Sequence, residues 1–216
     1  MMNPKITVML VDDHAVVRAG YRLLLSQTGK IDVACEAARG EEACQFYVDY
    51  RPDVTVIDLN MPGIGGLGAL RRILGRDPSA KVLMFSIHDE LVYVARALEA
   101  GARGYITKSC APEMLVDAVL RIAAGETFLE PGLAQKLAFQ SVTRDDSLGV
   151  LNSLSAREFD VFCLLAKGLS TREAAEELQL SYKTVSNYAS LIKDKLKVNS
   201  TAELVRLAYQ FGVIKG

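Results

Sequence analysis

No apolar run in these 216 residues approaches the roughly 20 needed to span a bilayer, which argues against a membrane partner. Met1-Met2-Asn3-Pro4-Lys5 leads into a strand-like run without a signal-peptide core, so the cytosol is the expected compartment. Cysteine is sparse. Cys35, Cys44, Cys110 and Cys163 lie far apart, with no pair at metal-ligand spacing, which predicts reduced structural thiols rather than a disulfide framework or zinc site. Histidine is scarcer still, and His14 and His88 are too few for a histidine metal cluster. Neither charge dominates, at 25 basic against 26 acidic side chains, and there are no internal repeats or low-complexity tracts. Half the residues are hydrophobic, enough for sizeable cores, and the length suits a domain of about 120 residues plus a smaller one.

Strand-like apolar runs carry the chemistry. Asp58 ends the run Val54-Thr55-Val56-Ile57 and precedes Leu59-Asn60-Met61-Pro62-Gly63. Ile6 to Val11 ends in Asp12-Asp13, Val82 to Phe85 ends at Ser86, and Gly104 to Thr107 ends at Lys108. Such runs, separated by helix-length segments, suit a parallel sheet buried on both faces, whose strand ends share one ligand-binding rim. That rim gathers three carboxylates, one hydroxyl and one ammonium. Crowded carboxylates repel unless a cation sits among them, and oxygen-only ligands suit hydrated Mg²⁺. Mg²⁺ and Lys108 can neutralise an incoming phosphoryl group, with an aspartyl phosphate on Asp58 as the expected product. The plain alternative is that the three acids cap strand ends and bind water.

Residues 5 to 125 resemble the response-regulator receiver domain. Val11-Asp12-Asp13-His14 resembles its acidic pair, Asp58 with Met61-Pro62-Gly63 its phosphoacceptor segment, Ser86 its switch hydroxyl, Tyr105 its switch aromatic and Lys108 its lysine. The resemblance implies metal ligands at Asp12 (through water), Asp13, Asp58 and the backbone carbonyl of Asn60. It also implies a five-stranded doubly wound parallel sheet in the order 2-1-3-4-5. Taken alone, Tyr105 is equally a core aromatic with its hydroxyl in water. Many receivers have Pro after the lysine, where this chain has Ser109.

The receiver is expected to span residues 1–125, a linker with a short helix 126–152, and a second domain 153–216. Leu115, Ala118, Val119 and Ile122 form the buried stripe of the last receiver helix, which Gly125 can end. Pro131 opens a short helix through Leu133 and Leu137, and Ser141 to Asn152 has no sustained period. Residues 1–126 carry 14 basic and 16 acidic side chains, whereas 152–216 carry 9 and 7, a slight basic excess that hints at nucleic acid.

Ser155-Ala156-Arg157-Glu158 and Ser170-Thr171-Arg172-Glu173 are capping boxes that each open a helix, and Ser181 caps a third. The inner face of the third is Val185, Tyr188, Ala189, Ile192 and Leu196. Its outer face presents Lys183, Ser186, Asn187, Ser190 and Lys193, with Thr184 in the first turn and Asp194 at the edge. A short helix, a turn and a longer helix with a polar face make a helix-turn-helix signature. A fourth helix completes an all-α domain. A merely solvated helix face is the competing reading of that polar stripe.

Leu154 to Gly216 resembles the LuxR-type DNA-binding domain through Leu154-Ser155-Ala156-Arg157-Glu158, Ala166-Lys167-Gly168-Leu169-Ser170, Lys183-Thr184-Val185 and Lys195-Leu196 followed by Val198. The family often has Lys and His where Ser186 and Tyr188 stand, and Gly in place of Lys197. In the fourth helix Leu204, Val205 and Ala208 belong either to a dimer surface or to plain core.

The whole chain thus resembles a NarL-type response regulator, which implies a non-enzymatic transcription regulator phosphorylated by a sensor histidine kinase. Double-stranded DNA, a second copy of the chain on activation, and RNA polymerase as a further candidate are the implied partners. Ser86 and Tyr105 would shift inward on phosphorylation. A haloacid-dehalogenase-like phosphatase would also use an Asp nucleophile and Mg²⁺, but Asn60 replaces the second acid of its Asp-x-Asp pair. A phosphorylation-independent regulator acting through a protein partner is the other alternative.

Overall fold

The computed structural model describes residues 4–142, 151 and 153–214. It divides into two compact units, one of Met1–Asp89 with Ala97–Gly132, the other of Glu90–Arg96 with Leu133–Gly216. No helix among the described residues is long and apolar enough to cross a membrane.

In the first unit strands alternate with helices: β1 (Ile6–Val11), α1 (Ala15–Gln27), β2 (Ile31–Ala37), α2 (Gly40–Tyr50), β3 (Val54–Ile57), α3 (Gly65–Arg76), β4 (Val82–Ser86), the last residues of α4 (Leu91–Glu99), whose Leu91–Arg96 part belongs to the second unit, β5 (Gly104–Thr107), α5 (Pro112–Ala123) and β6 (Phe128–Leu129). All strand pairs are parallel, in the order β2-β1-β3-β4-β5-β6. The expected order stands, with one further strand. Every residue of β3, β4 and β5 is buried, as a sheet covered on both faces requires. Val8, Leu10, Val56, Leu83, Phe85 and Ile106 meet the predicted α5 stripe of Leu115, Ala118, Val119 and Ile122.

Two residues are too short a run for β6 to be legible in sequence. It fits because Gly104 has no side chain: a Cβ there would stand 2.5 Å from the Phe128 carbonyl oxygen. The Glu130 carboxylate then accepts from the Thr107 backbone N–H and hydroxyl at 2.8 and 2.9 Å. The helix after it, α6 (Pro131–Val142), runs beyond the expected Leu137. Of the expected aperiodic stretch Ser141 to Asn152, residues 143–150 and Asn152 lie outside the described residues.

The second unit contains α7 (Ala156–Ala166), α8 (Thr171–Glu177), α9 (Tyr182–Leu196) and α10 (Thr201–Gln210). Both capping boxes are formed, and Ser181 and Ser200 accept from the backbone of Thr184 and Glu203. Phe159, Phe162, Val185, Ile192, Leu204 and Ala208 make a fully buried core. The Tyr93 ring meets Phe159 edge-on at 5.2 Å. Arg96 stacks its guanidinium 4.2 Å from the same ring and donates to the carbonyls of Leu151 and Leu154.

Helix α9 ends at Lys197 in the left-handed conformation, φ 56°. The LuxR family's frequent glycine here thus has a physical cause, since a Cβ is disfavoured at positive φ. Lys197→Gly should stabilise the helical unit by about 0.5–1 kcal/mol, read as a shifted urea midpoint of the full chain. A midpoint that falls would show that the lysine side chain contributes more than its backbone costs.

Candidate functional site

β1 and β3 are neighbours, and the Asp58 N–H donates to the Val11 carbonyl at 2.8 Å, so Asp58 stands beside the acidic pair at the rim. Its backbone is crowded by the start of α3, where a Cβ on Gly66 would fall 2.0 Å from the Asp58 carbonyl oxygen. Lys108 arrives from the end of β5. Its Nζ donates to Asp12 Oδ2 at 2.6 Å and Asp58 Oδ2 at 2.8 Å. The peptide after it is trans, so Ser109 in place of Pro brings no cis bond.

Burial pushes the Asp58 carboxyl above the usual carboxylate range, while Lys108 and the Asn60 backbone N–H hold it down. For Lys108, burial favours the neutral amine, but Asp58 and Asp12 together outweigh it and raise the ammonium pKa. The ammonium bridges the two acids and leaves one oxygen of Asp58 over. Asp58 Oδ1 is buried and accepts no hydrogen bond from the protein. A buried carboxylate oxygen without a donor is costly unless a cation or an electrophile meets it.

The donor atoms of Asp12, Asp13 and His14 lie within 4.8 Å of one another. His14 Nδ1 is 2.8 Å from Asp13 Oδ1 and 3.2 Å from Asp12 Oδ1. The acidic pair therefore gathers as expected, with His14 as an unexpected neighbour, while Asp58 is joined to Asp12 through Lys108. An acidic group beside an unsatisfied carboxylate oxygen fits a hard divalent cation.

Ser86 is fully buried, and its Oγ accepts from the His88 N–H at 3.3 Å. Tyr105 is also fully buried and donates its hydroxyl to the His88 carbonyl at 2.9 Å. The hydroxyl is thus buried rather than in water. Asn60, exposed at the rim, places its Nδ2 3.0 Å from Nε2 of the buried His88. Sequence reasoning gave His88 no role. Its one signal was its place two residues after Ser86.

On α9, Lys183, Asn187 and Ser190 are exposed at helical spacing, whereas Thr184, Ser186 and Lys193 are half-buried. The Thr184 hydroxyl lies 2.7 Å from the Ser181 cap, and the Ser190 hydroxyl donates to the Ser186 carbonyl. Lys195 faces the other way, pairing at 2.6 Å with Glu158 of α7. Burial tends to raise the Glu158 carboxyl, but Lys195 and the Ser155 backbone N–H and hydroxyl carry it below the carboxylate range. One set needs correction. Leu204 and Ala208 are fully buried against the helices of their own unit, so they are core rather than a free dimer face, and Val205 is half-buried.

Residues 8–120 match the response regulator receiver domain, and residues 152–208 match the bacterial regulatory proteins of the luxR family. The transcriptional activator protein ExaE of Pseudomonas putida is 42% identical over 209 residues, covering 96% of this chain and 98% of that one. The response regulator UvrY of Escherichia coli K12 is 36% identical over 208 residues, covering 96% and 95%. A crystal structure of a LuxR-family two-component response regulator from Aurantimonas sp. SI85-9A1 superposes with a TM-score of 0.63 at 42% identity, covering 64% of this chain and 99% of that one.

Proposed function

Because the chain belongs to the response regulators that join a receiver domain to a LuxR-type DNA-binding domain, we propose that it is a cytosolic transcription regulator switched by phosphorylation of Asp58. The receiver is assigned to residues 1–125 and the DNA-binding domain to 153–216. One observation carries the reading: Asp58 keeps one oxygen on Lys108 and its other oxygen buried and without a donor.

In the forward step the P–N bond of a sensor kinase's phosphohistidine breaks as a P–O bond forms to Asp58, and the imidazole leaves with the electron pair. Lys108, already bridging two acids, can follow the new negative charge without leaving Asp12. The Ser86 hydroxyl accepts from His88, so its proton is available to a phosphoryl oxygen. Asp12, Asp13, Asp58 and the Asn60 backbone carbonyl would hold Mg²⁺, which when bound offsets the charge of the transferred group. These residues would assist phosphoryl gain and loss on the chain itself.

Helix α9 would enter a major groove, with a second copy of the chain supplying the other half-site and RNA polymerase a further partner. Lys183 is suited to phosphate, and Asn187, with both a donor and an acceptor, to an adenine edge. Lys183→Ala should weaken binding alike on all sequences and flatten the salt dependence by about one unit, whereas Asn187→Ala should lose roughly 1–3 kcal/mol mainly on the specific site. Mobility shifts on operator and scrambled DNA, with and without acetyl phosphate, test both the domain and its control. Binding that ignores salt, or a shift that acetyl phosphate leaves unchanged, would sink this reading.

A further inference from the structure

Lys108 stands in a turn. The Cys110 N–H donates to the Thr107 carbonyl at 3.2 Å, which closes a four-residue turn with Lys108 and Ser109 at its centre, neither of them carrying a ring to restrain the backbone. Hydrogen bonds must hold it instead. The Lys108 N–H donates to the Ser86 carbonyl at 2.7 Å, which ties the turn to β4 on one side. On the other side stands Glu130. Its Oε2 accepts from the N–H of the buried Thr107 at 2.8 Å and from the Thr107 hydroxyl at 2.9 Å. With the Thr107 proton committed to Glu130, the Ser109 hydroxyl, 2.9 Å away, donates to Thr107 Oγ1. Both chain neighbours of Lys108 thus hang on one carboxylate. Glu130 is itself fixed, since its N–H donates to the Tyr105 carbonyl at 3.1 Å and Pro131 opens α6 directly after it.

We propose that Glu130 is a positioning residue for Lys108: by holding Thr107, and through it Ser109, it sets where the turn delivers the ammonium that bridges Asp12 and Asp58. The inference rests on Asp58 being the acceptor and on Lys108 neutralising the incoming phosphoryl group. A lysine reaches its partners on a flexible four-carbon stem, so its ammonium is only as well placed as the backbone beneath it. Misplacing such a group by about 1 Å is enough to slow a reaction. Glu130 touches none of the reacting atoms, and its effect passes through Thr107 to Lys108. A carboxylate that only closed the edge of the sheet would act on stability and leave the ammonium where it is.

The test is made on the full chain, with acetyl phosphate and Mg²⁺ for labelling and isotopically labelled lysine for NMR. The ammonium resonance of Lys108 is identified by its absence from Lys108→Ala. Glu130→Ala should slow labelling by about threefold to tenfold, the range that a hydrogen bond of ordinary net strength controls, and should broaden that resonance. Glu130→Gln, whose side-chain carbonyl still accepts both Thr107 donors, should recover most of the rate and the resonance. In a Lys108→Ala background the Glu130→Ala change should slow labelling no further, because the group it positions is gone. Ser109→Ala, at an exposed position, removes one bond of the set and should slow labelling by a smaller factor, which keeps the test open if Glu130→Ala fails to fold. A Glu130→Ala rate within error of the original chain, slowing that persists without Lys108, or an ammonium resonance that Glu130→Ala leaves unchanged would overturn the proposal. An original chain that takes up no label would instead overturn the assignment of Asp58, and the ammonium resonance would still report on Glu130.

Discussion

A chain carrying Asp58→Asn will take up no base-labile phosphoryl group from acetyl phosphate or a cognate kinase in the presence of Mg²⁺. The amide has nearly the shape of the carboxylate but is not nucleophilic enough to attack phosphorus. Lys108 keeps its 2.6 Å contact with Asp12, so the rim need not rearrange. The sign of the Asp58 shift makes the experiment clean. A carboxyl whose folded pKa lies above its unfolded value weakens the fold once pH exceeds the unfolded pKa, so replacing it by a neutral amide at pH 7 should leave stability unchanged or raise it. Loss of label together with an unchanged or higher urea midpoint therefore reports chemistry rather than unfolding. A chelator should abolish labelling of the original chain, and Asp13→Ala should lose it through the weakened cation site. Label retained by Asp58→Asn at the original level would show that the acceptor lies elsewhere.

Phe159→Ala should disable DNA binding while sparing phosphorylation. The ring is completely buried, carries Tyr93 against its edge and Arg96 over its face, and stands next to the Glu158 that pairs with Lys195 of α9. Truncating such a side chain costs about 3–5 kcal/mol, and the core of a unit this small supplies little more. Arg96 would also lose the ring that offsets part of its burial. Asp12, Asp58, Ser86, Tyr105 and Lys108 all belong to the other compact unit, so uptake of label by Asp58 should persist. Circular dichroism melts, gel shifts and labelling on one preparation check all three parts. DNA binding at the original strength would mean that the helical unit has stability in reserve; loss of label would mean that the two units do not fold independently.

Much of this was legible because parallel strands print their ends in sequence. Asp12, Asp58, Ser86 and Lys108 each follow a short apolar run, and a parallel sheet brings such ends to one rim whatever lies between them. Serine caps are equally local, which is why Ser155, Ser170 and Ser181 located three helices correctly. What sequence could not supply were contacts between side chains far apart in the chain. His88 bonds Asn60 across 28 residues through a ring that, in sequence, is one lone histidine. Leu204 and Ala208 illustrate another limit: an amphipathic pattern says that a helix has an apolar side, but only packing decides what covers it. The strand Phe128–Leu129 depends on the missing side chain of Gly104, visible only once the two chain segments run side by side.

That last strand has a consequence for solubility. A parallel sheet of apolar strands ends in unpaired N–H and C=O groups that can recruit further strands and seed aggregation. Beyond β5 the ladder lasts only two residues, and the next donor, the Thr107 N–H, is taken by the Glu130 carboxylate, which offers nothing onward for another chain to copy. At the opposite margin β2 carries exposed Asp32, and its Glu36 is held by Arg18 and Arg22. An approaching strand would thus meet charge on either side, so the sheet can keep its apolar strands without inviting neighbours to extend it.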